Sequence, residues 1–231
     1  MSRKDDLAAN LAAVRQRIST ACDAVGRSPR EVTLVAVTKT FPATDVRLLA
    51  ELGLTDVAEN RDQEAAPKAA ECRDLDLTWH FVGQLQTNKV RSVVSYADVV
   101  HSVDRERLVT ALSRAATGAG RTLHCLIQVS LEETEGRGGV RPDGVPALAD
   151  ALAAAEGLEL GGVMAVAPLG ADPAPAFARL AEVSLSLCAK YPDAKTVSAG
   201  MSGDLEQAIA SGATHVRVGT ALLGGRRAIV R

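Results

Sequence analysis

The chain has 231 residues, 47% of them apolar and only 3% aromatic, with a formal net charge of −2. That length suits one α/β barrel or two small domains, and the apolar share is enough for a sizeable aliphatic core. Near-neutral charge and scarce aromatics argue against polyanion-binding and base-stacking surfaces, so no nucleic-acid partner is expected.

Leu7, Leu11, Val14, Ile18, Cys22 and Val25 recur at spacings of three and four, which predicts an amphipathic helix over residues 5–25. Asp5 and Asp6 favour its positive end, and Gly26 and Pro29 stop it. From there the chain repeats one pattern: a short apolar run, a polar turn, a helical stretch. Strands are predicted at 32–38, 55–59, 78–82, 98–102, 122–130, 158–166, 195–198 and 214–218. Helices are predicted near 43–52, 61–72, 87–96, 105–118, 143–155, 173–190, 203–211 and 220–225. Eight βα units and no long Pro-, Gly- or Ser-rich linker give a single (β/α)8 TIM barrel over 32–231 with an additional N-terminal helix. A doubly wound open sheet is the alternative.

Cys22, Cys72, Cys125 and Cys188 lie far apart with no C-x-x-C pair, so neither a zinc site nor a disulfide framework is expected. No run of 18 apolar residues and no apolar stretch behind the N-terminal charges occurs. A cytoplasmic protein without membrane association is expected.

The residues that end the predicted strands would line one mouth of the barrel, where α/β folds keep their chemistry. The first strand, Val32–Thr38, ends at Lys39, and Pro42 suits the first turn of the next helix. A lysine in that place more often just solvates a loop. The second strand ends at Glu59-Asn60-Arg61, the third gives His80 and the run Gly83–Lys89, and the fourth gives His101, Ser102 and Asp104. After the last two strands come Ser198-Ala-Gly-Met201-Ser202-Gly-Asp204 and Arg217-Val-Gly219-Thr220. Loops in those places are the common phosphate site of barrels, because glycine lets the backbone approach an oxyanion and free N–H groups point at it. Ser202 and Thr220 would add hydroxyl donors. Read blandly, Ser202 or Asp204 is an N-cap and Gly219 a tight turn. Closure makes the last strand a neighbour of the first, so a phosphorylated aldehyde held there could form a Schiff base with Lys39. That needs a neutral amine, hence burial or a nearby positive charge, for which Arg217 is a candidate.

At this point the chain resembles the YggS/PROSC family of pyridoxal phosphate homeostasis proteins, which are similar to the barrel domain of alanine racemase. The matching motifs are Val35-Ala-Val-Thr-Lys39, Glu59-Asn60-Arg61-x-Gln63-Glu64, Trp79-His80-Phe-Val-Gly83-x-Leu85-Gln86-x-Asn88-Lys89, His101-Ser102-Val103-Asp104, Gly200-Met201-Ser202-x-Asp204 and Val216-Arg217-Val-Gly219-Thr220. They run in family order along nearly the whole chain. The resemblance implies that Lys39 carries pyridoxal 5′-phosphate (PLP) as a Schiff base and that Asn60 lies near the pyridine ring. It further implies that Ser202, Gly219 and Thr220 hold the phosphate, that Met201 lines the same loop and that Arg217 faces the ring nitrogen. His80 is carried over as a cofactor-binding residue, with a satisfied core histidine as the alternative. The chain departs from the family pattern at Ser130, Arg137 and Ala199.

An arginine stays charged and cannot accept the ring proton; as a partner it would leave the ring neutral and the electron sink weak. Racemisation also needs a base opposite Lys39, and neither tyrosine, Tyr96 or Tyr191, falls at a predicted strand end. The resemblance therefore implies a monomeric PLP holder that buffers the cofactor or delivers it to PLP-dependent apoenzymes, without significant turnover. A racemase-like PLP enzyme is the alternative, and a Schiff-base aldolase without PLP stands behind it.

Overall fold

In the computed structural model, which describes residues 2–131 and 138–225, eight parallel strands close into a barrel in chain order. They are β1 (Thr33–Val37), β2 (Asp56–Glu59), β3 (Thr78–Phe81), β4 (Val99–Val103), β5 (Leu123–Gln128), β6 (Leu158–Met164), β7 (Thr196–Ser198) and β8 (His215–Val218). The helices are α1 (Arg3–Asp23), α2 (Ala43–Glu51), α3 (Asp62–Glu71), α4 (Val90–Val94), α5 (Glu106–Ala119), α6 (Val145–Ala153), α7 (Pro173–Lys190), α8 (Leu205–Ala210) and α9 (Thr220–Leu223). This is the (β/α)8 barrel with an additional N-terminal helix that the periodicity predicts.

Several boundaries differ, each for a local reason. α1 starts two residues early because Ser2 caps it: Ser2 Oγ accepts from the Asp5 N–H and the Asp5 carboxylate accepts from the Ser2 N–H. Pro42 stands at the N-cap of α2, outside its first turn. The helices expected over 87–96 and 143–155 each begin with a separate 3-10 turn, Thr87–Lys89 and Pro142–Gly144, which shortens the α-helical part. The fifth strand stops at Gln128, after which Val129 makes an isolated bridge to Val140. Arg137 lies outside the described residues.

Alternation along the strands sorts side chains between two layers. Outward positions such as Ala36, Val57 and Trp79 meet the helices, and there the aliphatic core is thickest. α1 packs its Leu7, Leu11, Val14, Ile18 and Cys22 into the same cluster as Leu49, Leu205, Ile209 and Leu222. Each fully buried leucine in this seam contributes about 1.5–3 kcal/mol of apolar burial. Polar contacts fix the orientation: Asn10 Nδ2 donates to the Leu222 carbonyl at 2.9 Å, and Arg17 pairs with Glu206 at 2.7 Å. Inward positions are different. Only Val35, Val37 and Ala58 form an apolar cluster inside, with Val82 against it. Much of the remaining interior is polar, and that polarity defines the site.

All four cysteines are free thiols. Burial pushes the Cys125 thiol up to about 12, so it packs as a small apolar group. Among the described residues, no helix is long and apolar enough to cross a membrane.

Candidate functional site at the carboxyl end of the barrel

β1 supplies Lys39. Val35 and Val37 face inward, and the fully buried Thr38 turns outward to bond Glu59, so the alternation gives Lys39 the inward position beyond the strand end. β8 lies directly beside β1, with Val35 aligned with Arg217 and Ala36 with Val218. The pairing brings Gly219 level with Val37: a Cβ on Gly219 would stand 3.4 Å from the Val37 carbonyl oxygen.

The loops after β7 and β8 meet at Ser202, whose Oγ accepts from the Ala221 N–H at 3.3 Å. Asp204 turns back to accept from the Met201 N–H at 2.5 Å, which shapes the first loop and leaves α8 without a side-chain cap. The N-cap reading of Ser202 is thereby set aside, and Asp204 holds the N-cap position without capping. Among the described residues, the N–H groups of Ser202, Gly203, Gly219 and Thr220 donate to no protein atom. All four residues are partly or fully exposed to solvent. α8 and α9 have only six and four residues, so the attraction for an anion here resides in these individual N–H groups and the two hydroxyls rather than in a helix dipole.

β2 supplies Asn60, whose side-chain amide makes no hydrogen bond among the described residues. Gly83, after β3, lets the two strands approach: a Cβ there would fall 2.0 Å from the Asn60 carbonyl oxygen. The residues flanking Asn60 do not join it. Glu59 points outward beneath α3 and is fully buried, and the Arg61 side chain is largely exposed at the start of that helix. Met201 is half-buried in the loop after β7, on the side of the cradle.

Beneath this mouth a single file of polar side chains crosses the interior. Arg217 donates to Ser198 Oγ at 2.6 Å and to the Ala165 carbonyl at 2.9 Å. Ser198 Oγ stands 3.0 Å from His101 Nδ1, His101 Nε2 stands 2.8 Å from His80 Nδ1, and His80 Nε2 stands 3.0 Å from Asp56. For neutral imidazoles, the ends fix the direction of every bond. Arginine only donates and a carboxylate only accepts. The Ser198 hydrogen therefore goes to His101 Nδ1, the His101 Nε2–H to His80 Nδ1, and the His80 Nε2–H to Asp56. In that state both imidazoles carry their proton on Nε2.

The electrostatics agree with that order. Burial, reinforced by His80 and Arg217, holds His101 well below the usual imidazole range, so it is neutral. Burial lowers Arg217 to about 10, with Asp204 opposing, and the guanidinium stays charged at neutral pH. Burial works to raise the Asp56 carboxyl, but hydrogen bonds from His80 and Thr55 bring it below its ordinary value. His215, inward on β8 near His80, is lowered to about 4 by burial.

The structure thus brings Lys39, Arg217, Gly219, Thr220, Ser202, Met201 and Asn60 to one end of the barrel. His80 is placed differently from the expectation. It is buried one layer below, with both ring nitrogens engaged, so neither nitrogen is left for a ligand. Strand alternation puts it in the file under Arg217. Asp56 and His215 escaped the reading of strand ends because they sit at the amino ends of β2 and β8. The inward parity they share with Asn60 and Arg217 was the available signal. Ala199, a departure from the family pattern, packs among the outward core residues and leaves the mouth untouched. Ser130 donates its N–H to Val140 in the β5 loop.

Residues 6–227 match the family model for the alanine racemase N-terminal domain. The pyridoxal phosphate homeostasis protein of Mycobacterium tuberculosis is 44% identical, over 97% of this chain and 95% of the relative. That of Escherichia coli is 38% identical, over 96% and 97%. Among solved structures, PipY of Synechococcus elongatus with PLP bound superposes with a TM-score of 0.83 at 36% identity, covering 94% of this chain and all of PipY. A Clostridium difficile alanine racemase shares the fold with a TM-score of 0.74 at 14% identity, and this chain covers 58% of it.

Proposed function

The chain belongs to the family of pyridoxal phosphate homeostasis proteins, and from that membership we propose that it holds PLP as a Schiff base on Lys39 and serves as a reservoir or donor of the cofactor. The observation that carries the reading is the adjacency of β8 and β1. The adjacency supports a lysine sharing one end of the barrel with four N–H groups that have no partner among the described residues and with two hydroxyls. Such groups fit a phosphate dianion, and a lysine beside them fits the aldehyde of the same molecule.

Bound PLP supplies an electrophilic aldehyde and a conjugated ring able to draw electrons from an attached carbon. The chain's own residues do the rest. Gly219, Thr220 and Ser202 would bind the phosphate, with Met201 lining that loop, and Asn60 would offer its free amide from β2, on the other side of β1. Arg217 presents a permanent positive charge and donors to the ring nitrogen. It is held there by Ser198 and the Ala165 carbonyl. A permanent cation that only donates would leave the ring nitrogen an unprotonated acceptor, which would keep the electron sink weak.

A racemase-like enzyme is the second reading. It needs a second base across from Lys39. Tyr96 packs edge-on against Trp79 outside the barrel wall, and Tyr191 bonds Asp150 at the end of α7. Neither faces the mouth, which favours holding over turnover. We further take the protein to act as a cytoplasmic monomer that passes PLP to dependent apoenzymes.

Visible absorbance of the purified, PLP-loaded protein before and after borohydride, in wild type and Lys39→Ala, tests the proposal. A band that borohydride abolishes in wild type and that Lys39→Ala lacks is expected. An unchanged reducible band in Lys39→Ala would overturn the assignment. Rapid exchange of the α-proton of an L-amino acid in D₂O would favour the enzyme.

A further inference from the structure

We propose that Glu59, Glu64 and Lys68 form a clamp that positions Lys39 by gripping the residues on either side of it. This rests on the reading of Lys39 as the cofactor lysine. Thr38 is fully buried on the outward side of β1, and its Oγ1 donates to Glu59 Oε1 at 2.7 Å. Its carbonyl accepts from Lys68 Nζ at 2.8 Å. On the other side, the Thr40 N–H donates to Glu64 Oε2 at 3.1 Å. Lys68 and Glu59 also pair directly with each other, and both are buried.

Two features make this more than ordinary packing. Thr40 has φ +69°, and among the described residues it is the one non-glycine in the left-handed region. A β-branched residue stays there only where its surroundings hold it. Glu64 supplies the hold through the Thr40 N–H, and the Phe41 N–H bond to the Thr38 carbonyl at 3.1 Å closes the turn. The second feature is the buried ion pair. An apolar pair of equal volume would stabilise the fold at least as well. It could not bond the Thr38 hydroxyl and carbonyl together, and these fix the peptide that leads into Lys39. Among the described residues Glu59 Oε2 has no partner, so the carboxylate is committed through Oε1. The sequence builds the clamp simply: Glu59 ends β2, and Glu64 and Lys68 stand one turn apart on the face of α3 toward β1.

Glu64 is partly exposed, so Glu64→Ala, which removes the acceptor of the Thr40 N–H, leaves the fold intact. Release of the strained turn is expected to weaken PLP binding about tenfold and to slow borohydride fixation, since the left-handed region costs a non-glycine roughly a decade in equilibrium constant. Thr40→Gly removes that cost, so Glu64→Ala in the Thr40→Gly background is expected to regain most of the lost affinity. A general loss of stability would not be rescued this way. Thermal melts of each variant verify that the chain is folded. Equal loss of affinity with and without Thr40→Gly, or no loss in Glu64→Ala, overturns the clamp while the Lys39-dependent band of wild type stands. Absence of that band in wild type overturns the assignment of Lys39 as well.

Discussion

His215 makes the stability of this barrel depend on pH in a way that can be worked out. Its Nδ1 lies 2.9 Å from Thr214 Oγ1, and it faces the His80 ring at 6.3 Å, with Arg217 and Asp56 also acting on it. Burial, aided by His80 and Arg217 and opposed by Asp56, lowers it from 6.5 to about 4. Between those values the unfolded chain binds the proton and the folded one does not, so this stability is present above the unfolded pKa and is lost as pH falls. From pH 7 to pH 5 the loss is about 2 kcal/mol, or about 4–8 °C in Tm for a domain of this size. His215→Asn keeps an acceptor near Thr214 but cannot titrate. Thermal melts at half-unit steps from pH 7 to 5 should show the variant losing correspondingly less than wild type. Parallel curves would refute the argument and indicate that His215 is not held neutral in the fold.

Other consequences follow from the same geometry. Lys68→Met leaves the Glu59 carboxylate buried without its cation and should cost about 3–5 kcal/mol in urea unfolding, whereas adding Glu59→Gln should recover a large part; a small cost for the single variant would deny the pair its buried character. Gly83→Ala drives a Cβ into the Asn60 carbonyl and should weaken PLP binding along with stability; an unaffected Kd would mean that the approach of β2 and β3 is unimportant. Ser198→Ala removes the shared hydroxyl between Arg217 and His101 and should cost about 1–3 kcal/mol. It should also shift the NMR signals of the His101 and His80 rings together, since their bond directions are coupled; a change confined to His101 would break the proposed order of the file.

How much of this was readable beforehand depended on whether a feature is local in the chain. Strand runs such as Leu123–Ile127 and the helix of Leu7, Leu11, Val14 and Ile18 declare themselves through apolar periodicity. Lys39 and the Ser202 and Gly219–Thr220 loops could be found because barrels place ligands after their strands, and closure of β8 on β1 makes the two neighbours. The interior file was not legible. His80, His101 and Ser198 lie on strands that are distant in sequence, and only the inward parity of each, set by closure, brings them together. Glu59 misled for the same reason, because one residue before an inward Asn60 must face the helices. Lys68 lies in the helix predicted over 61–72, and nothing around it in the chain announces that it reaches the Thr38 carbonyl.

The central claim is the covalent attachment at Lys39. Borohydride reduction of the PLP-loaded chain, followed by proteolysis and mass spectrometry, reads it directly. The account predicts one reduced pyridoxyl group per chain, on the peptide containing Lys39, and none after Lys39→Ala. A modified Lys68 or Lys89 with Lys39 unmodified would contradict it.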